Sequence, residues 1–164
     1  MKAKDVVKLA LTTTQDTMLM FLADMTDSEL TVRPVPSANN IAWQLAHLIV
    51  AEKLLLEGAL PGAKYPEVPV ALASLGNERT GKSDPTDGYP TKGQFVEWLG
   101  KMRAVTLSAV DKLSDSDLDT PNTNMMAKFA PTLAALLILI ANHTLMHGGQ
   151  FTVVRRALNK PVVF

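Results

Sequence analysis

Cysteine is absent from this 164-residue chain, which excludes disulfides, thiolate metal ligands and a protein-borne cysteine nucleophile. Aromatic residues are scarce, at 5%, and histidine occurs only three times. Net charge is missing as well: 16 lysines and arginines balance 16 acidic residues. No field of either sign therefore favours nucleic acid or an anionic membrane surface. The apolar run Leu133–Ala141 is about half of the roughly 20 residues a bilayer span needs. The start of the chain is charged, and Lys8 interrupts the only nearby apolar stretch. No signal peptide is expected, and the cytoplasm is the expected location.

What is present reads as a Leu/Ala-rich soluble globule. Apolar residues make up 47% and charged residues 20%, a composition and length suited to one domain over residues 1–164 with a core of its own. Val7, Leu11, Thr14, Met18, Phe21, Leu22 and Met25 recur every three or four positions, which predicts an amphipathic helix over 3–25. Thr26-Asp27-Ser28-Glu29 reads as a capped short turn. A second helix starts from a cap at Ser37 or Asn39 and runs to Gly58, with Trp43, His47, Ala51 and Leu54 as its core stripe. Glu52 points away from His47 on that stripe and is not counted as a ligand. Thr91-Lys92-Gly93-Gln94 resembles a capping box and opens a third helix carrying Phe95, Leu99, Met102, Thr106, Ala109 and Leu113 on one face. A last helix takes Pro131 into its first turn and continues to Leu158, with a turn or short helix at Ser114–Leu118 before it.

Residues 59–90 are the least regular part, holding five of the ten prolines. Within them Gly76-Asn77-Glu78-Arg79-Thr80-Gly81-Lys82-Ser83 spells the phosphate-loop pattern, but that motif needs a preceding strand and a helix starting at the Lys-Ser. Asp84-Pro85-Thr86-Asp87-Gly88 cannot carry that helix, so the stretch reads as a solvated loop. Four long helices and no strand pattern make an all-α four-helix bundle. The long connection has the length of a crossover, which makes the second and third helices parallel and the order up-down-down-up.

The histidines carry the chemistry. His143 and His147 stand four residues apart, and four residues overshoot one helical turn by roughly 40°, so both rings leave one face. Gln150 shares that face. His47 lies mid-helix in the stripe turned to the core, and facing helices in a bundle approach within about 8–10 Å. One imidazole can then meet a His-x3-His pair across the core. Three imidazoles with a free fourth position form the arrangement of a catalytic zinc site. Gly148-Gly149 inside this helix marks either an interruption or a close approach by another backbone or a ligand. Trp43 is read as core in preference to a pocket wall, and Arg155-Arg156 as solvated charges in preference to a substrate-binding pair.

Ile41-Ala42-Trp43-Gln44-Leu45-Ala46-His47-Leu48, together with His143-x3-His147-x-Gly149-Gln150 and Arg155-Arg156-Ala157-Leu158 before Pro161, resembles the DinB-like (YfiT-like) family of metal-dependent proteins. The likeness spans nearly the whole chain in helix order and in the long middle connection. It implies a four-helix bundle holding a divalent metal, nickel or zinc, on His47, His143 and His147, and it implies a homodimer. Some characterised relatives are thiol-dependent transferases or isomerases using low-molecular-weight thiols, and others are described as metal-dependent hydrolases. The expected function is accordingly a thiol-dependent S-transferase or isomerase acting on a small-molecule substrate. The alternatives are a metal-dependent hydrolase, or a non-catalytic metal-binding bundle acting in stress response or partner interaction. Gln150 is the expected orienting residue behind the metal. The connection around Tyr65 to Tyr89 is expected to wall the pocket above the metal, and the all-round apolar run Ala134–Ala141 to meet a second copy of the chain.

Overall fold

The three-and-four spacing of Val7, Leu11, Thr14, Met18, Phe21 and Leu22 produces α1 (Ala3–Leu22), and each of these side chains is buried. The computed structural model describes residues 1–77, 84 and 88–163. After α1 the chain makes a one-turn 3-10 helix at Glu29–Thr31, fixed by Thr26 and Glu29, which bond each other's backbone amides at 3.3 and 2.7 Å. Then come α2 (Ile41–Leu56), α3 (Val70–Asn77), α4 (Lys92–Asp111), α5 (Asp115–Leu118) and α6 (Leu133–Ala157). Among the described residues the fold is all-helical. A single bridge between Pro121 and Thr132 is its only extended pairing there.

Several boundaries differ from the sequence expectation. The cap of α2 is Asn40, whose side chain accepts from the Trp43 amide, not Ser37 or Asn39. Leu54 is 58% exposed and lies outside the core stripe, because the buried face of α2 turns through Gln44, Leu48 and Glu52 as well. Pro131 sits before the Thr132 cap of α6, outside the helix, where its carbonyl accepts from the Asn122 amide at 2.9 Å. The largest omission is α3. It follows Pro69 in the connection read as irregular, with Leu72 and Leu75 buried against the core. From residue 78 onward, the phosphate-loop pattern lies outside the described residues.

One hydrophobic core runs through all the long helices. α1 packs on α6 and α4, and α2 on α3, α4 and α6. Polar bonds pin the helix ends. Lys92, at the start of α4, donates to the Met25 carbonyl just past α1 at 2.6 Å, and Lys4, at the start of α1, donates to the Leu113 carbonyl just past α4 at 3.1 Å. Arg155, near the end of α6, donates to the Phe21 carbonyl at 2.8 Å and pairs with Asp24. Arg155 is therefore a buried clamp, only 3% exposed, and not a solvated charge. Gly148 and Gly149 do not interrupt α6. A methyl at Gly148 would meet the Phe21 ring at 3.6 Å, an ordinary packing distance, so α1 lies against α6 here without requiring glycine.

Candidate metal centre

Three helical positions deliver three imidazoles to one point. His143 and His147 leave the same face of α6, and His47 reaches them from α2. One ligand atom from each lies within 4.8 Å of the others. Ring centroids are 5.1 Å apart for His47–His143, 5.3 Å for His47–His147 and 4.8 Å for His143–His147. His147 is buried, the other two half-buried.

The ring nitrogens show how the cluster is oriented. The Nδ1 of His147 lies 2.9 Å from the Oε1 of Gln44, one helical turn before His47 on α2. That oxygen only accepts, so His147 carries its proton on Nδ1. The Nδ1 of His47 lies 3.4 Å from the Gly76 carbonyl of α3, which likewise can only accept. Both rings therefore turn an unprotonated Nε2 inward. The His143 Nε2 faces them at 3.3 Å from His47 and 3.1 Å from His147. One proton on the His143 Nε2 can serve one of these neighbours, which leaves converging lone pairs short of a positive charge.

Burial keeps the rings neutral. It pushes the His143 pKa down to about 4, with the charge of His47 adding to the effect, and the His147 pKa down to about 3, with His143 and His47 adding. The His47 pKa is also lowered by burial, against which the Gly76 carbonyl works. Trp43 lies flat against His47, with centroids 5.0 Å apart and planes 7° from parallel. It is 6% exposed, so it is both core and the wall behind one ligand ring.

These donors suit a divalent cation. Tetrahedral coordination at roughly 2.0–2.1 Å puts imidazole nitrogens about 3.3–3.4 Å apart, close to the 3.3 and 3.1 Å of two of the three pairs, with the third within 4.8 Å. Three neutral nitrogens leave the cation its full charge and one position free. Gln150 is exposed on α6, and the amide that reaches a ligand ring is that of Gln44. Gln44 stands on α2, apart from the histidine pair on α6, so no local spacing ties it to His147. Its one available signal was a glutamine spaced helically from His47 inside an otherwise apolar segment. Of the connection expected to wall the site, Gly76 touches His47. Tyr65 instead bonds Thr106 in the core at 2.8 Å.

The neutral rings have a consequence for stability. Without metal, an unfolded histidine takes up a proton near pH 6.5, whereas His143 and His147 in the native state wait until about 4 and 3. Between these values the unfolded chain binds more protons, so stability falls as pH falls through that window and is fully present above it. In chelator, the urea midpoint is expected to decline between pH 6.5 and 5, before most carboxylates titrate. A midpoint that is flat or rises with acid over that interval counts against neutral native rings.

The profile of the DinB superfamily matches residues 10–151 of the chain. The crystal structure of a conserved protein from Enterococcus faecalis superposes with a TM-score of 0.72 at 18% identity, covering 98% of this chain and 99% of that one. That likeness is one of fold. A comparison with curated proteins returned no match. Among the described residues, no helix is long and apolar enough to cross a membrane. With the profile spanning most of its length, and the three histidines brought together, the chain belongs to the DinB superfamily.

Proposed function

We propose that this protein is a divalent-metal-dependent enzyme that transfers a low-molecular-weight thiol to, or isomerises through that thiol, a small electrophilic substrate. The observation that carries the reading is the convergence of three neutral imidazole Nε2 atoms in a partly buried site with no fourth protein ligand among the described residues. His47, His143 and His147 hold the cation, nickel or zinc. When bound, such an ion supplies the charge that acidifies a thiol or water near neutral pH. The chain has no cysteine, so the thiol comes from a cosubstrate. In the transfer, a sulfur–carbon bond forms, the bond from that carbon to its leaving group breaks with its electron pair, and the thiol proton passes to solvent. Gln150, exposed on α6 three residues beyond His147, is the side chain we assign to orienting the substrate.

The assay is direct. Zinc- or nickel-loaded protein is offered an electrophile with and without an added small thiol. Consumption only with thiol and metal together supports the transferase. Ester or amide cleavage without thiol identifies a hydrolase, and tight metal with no turnover in either assay identifies a non-catalytic metal-binding bundle.

We read the architecture as an up-down-down-up four-helix bundle of α1, α2, α4 and α6, with α3 on the crossover. The pairing of α1's start with α4's end, and of α1's end with α4's start and α6's end, supports this order. So does the antiparallel meeting of Gln44 and His47 with His147 and His143.

We also propose a homodimer. Ala134, Ala135, Ile138 and Leu139 are half-buried, so the barest apolar surface lies further along α6 than the run Ala134–Ala141. There Leu145, Met146 and Val153 are 45, 56 and 50% exposed, and Val6, Leu9 and Met20 of the adjoining α1 are 47, 57 and 46% exposed. A two-fold contact would cover both stripes. Met146→Glu would bury an unpaired charge costing at least about 3 kcal/mol, which weakens a dimer by at least about a hundredfold. Light scattering should find the wild type dimeric and the variant monomeric. A wild type that stays monomeric at high concentration removes the proposal.

A further inference from the structure

We propose that α3 is a positioning element of the histidine cluster, with Gly76 its working residue, so that docking of α3 and binding of a divalent cation favour each other. This rests on the metal-site reading above. Three observations carry it.

The first is the bond itself. His47 is the one cluster ring contributed by α2, and its outer nitrogen faces a backbone carbonyl of α3 at 3.4 Å. A carbonyl accepts and never donates, so α3 fixes the proton on Nδ1 and turns the Nε2 lone pair toward His143. Bonds of this kind set ring orientation and tautomer in metal sites.

The second is the closeness needed to make it. An added Cβ at Gly76 would lie 2.5 Å from the Ala46 carbonyl oxygen and 2.8 Å from the Val50 Cγ2. Both belong to α2, and the oxygen is backbone that cannot swing aside. Any larger residue pushes α3 outward and lengthens a contact that is already long. Gly76 has no positive backbone φ among those found. Its glycine is therefore explained by space, not by an unusual conformation.

The third is that α3 depends on one neighbour. It is an eight-residue helix, too short to be stable alone. Its buried anchors are Leu72 and Leu75, while Val70 is 82% exposed. Of the other elements, α2 is its main support. A helix this short, packed mainly on one neighbour, keeps its place only while it fits that neighbour. A cation that draws His47 into one orientation then selects the docked α3. By reciprocity, loosening α3 weakens the cation by the same factor.

The test compares wild type, Gly76→Ala and Leu72→Ala as full chains, using zinc ion as the probe. Zinc affinity is measured by calorimetry against a competing chelator, and folding by circular dichroism. Gly76→Ala is expected to keep its helix content and bind zinc about 10–100-fold more weakly. Leu72→Ala, which thins the anchor and leaves Gly76 intact, should weaken zinc in the same direction, and it decides the matter if Gly76→Ala fails to fold. Amide exchange at residues 70–77 should slow when zinc is added to wild type. Separately, long-range proton–nitrogen spectra of the metal-free wild type should find the His47 proton on Nδ1. Zinc binding unchanged in the folded Gly76→Ala variant, or unchanged exchange in α3 on tight zinc binding, overturns the proposal. A His47 proton on Nε2 in the metal-free protein overturns it too. If wild type binds no zinc, the metal reading fails and with it the coupling, whatever the tautomer. An Nδ1 proton would then still identify Gly76 as the residue that orients His47.

Discussion

Replacing His143 with alanine is expected to abolish measurable metal binding and, with it, any thiol transfer, while the bundle stays folded. His143 is the ring both others face, at 3.3 Å from the His47 Nε2 and 3.1 Å from the His147 Nε2. Without it, two imidazoles remain on different helices. Loss of a bond behind a ligand already costs about 10–100-fold in affinity or activity, so loss of a ligand should exceed about a hundredfold. The folding readout separates the two roles the ring could have. Zinc at about a hundred times its Kd adds about 2.7 kcal/mol to the stability of a protein that binds it only when folded. Wild type should show that increment in urea titrations and His143→Ala should not, while in chelator the two should unfold at similar urea concentrations. Gln44→Ala should sit between them, keeping the metal with reduced affinity, because it removes only the acceptor behind His147. If His143→Ala keeps full turnover with no metal present, the three histidines are simply part of the core and the enzyme reading fails.

The parts of this fold that could be read from sequence are those whose signal is local. The buried faces of α1 and α4 follow from periodicity, and the Thr91–Gln94 capping box forms as its residues require. The histidine cluster was legible because His143 and His147 are helical neighbours and only one further histidine exists. α2 was harder. It is buried on nearly every side, and a helix with no polar face does not announce which stripe meets which neighbour. That is why the core stripe read from spacing includes Leu54, which is exposed, and leaves out Gln44 and Glu52, which are buried. α3 fell below the length at which periodicity separates a helix from a short apolar loop. The partners of Arg155 and Arg103 lie 131 and 51 residues away in sequence. No local pattern marks such pairs.

Arg103→Ala is expected to destabilise the fold by about 3–5 kcal/mol, the range for removing one member of a buried ion pair. Arg103 and Glu52 are 4% and 5% exposed. The guanidinium Nε donates to the Glu52 Oε1 at 3.0 Å and a terminal nitrogen to Oε2 at 3.1 Å. That second nitrogen also donates to the Thr144 hydroxyl at 3.2 Å, and the other terminal nitrogen donates to the Leu11 carbonyl. The Thr106 hydroxyl donates to Glu52 at 2.6 Å and meets the Tyr65 hydroxyl at 2.8 Å. Burial raises the pKa of that tyrosine well above its ordinary value, so it stays neutral beside the carboxylate. One side chain of α4 thus ties together α1, α2 and α6, and its α6 partner, Thr144, adjoins His143. Alanine would leave the Glu52 carboxylate buried without its counter-charge and the Thr144 hydroxyl without its donor, while the Leu11 carbonyl keeps a donor in the Thr14 hydroxyl. The pair is an expensive way to stabilise a core, since well-packed apolar residues of similar volume often do as well or better. Arg103→Met with Glu52→Leu should therefore recover much of the loss in urea titrations. What the double variant should not recover is zinc affinity, if the network's role is to hold α2 and α6 in the register that brings His47 to His143. A double variant with wild-type zinc binding would reduce the network to packing, and an Arg103→Ala loss below about 1 kcal/mol, within the range of exposed ion pairs, would contradict the buried pair itself.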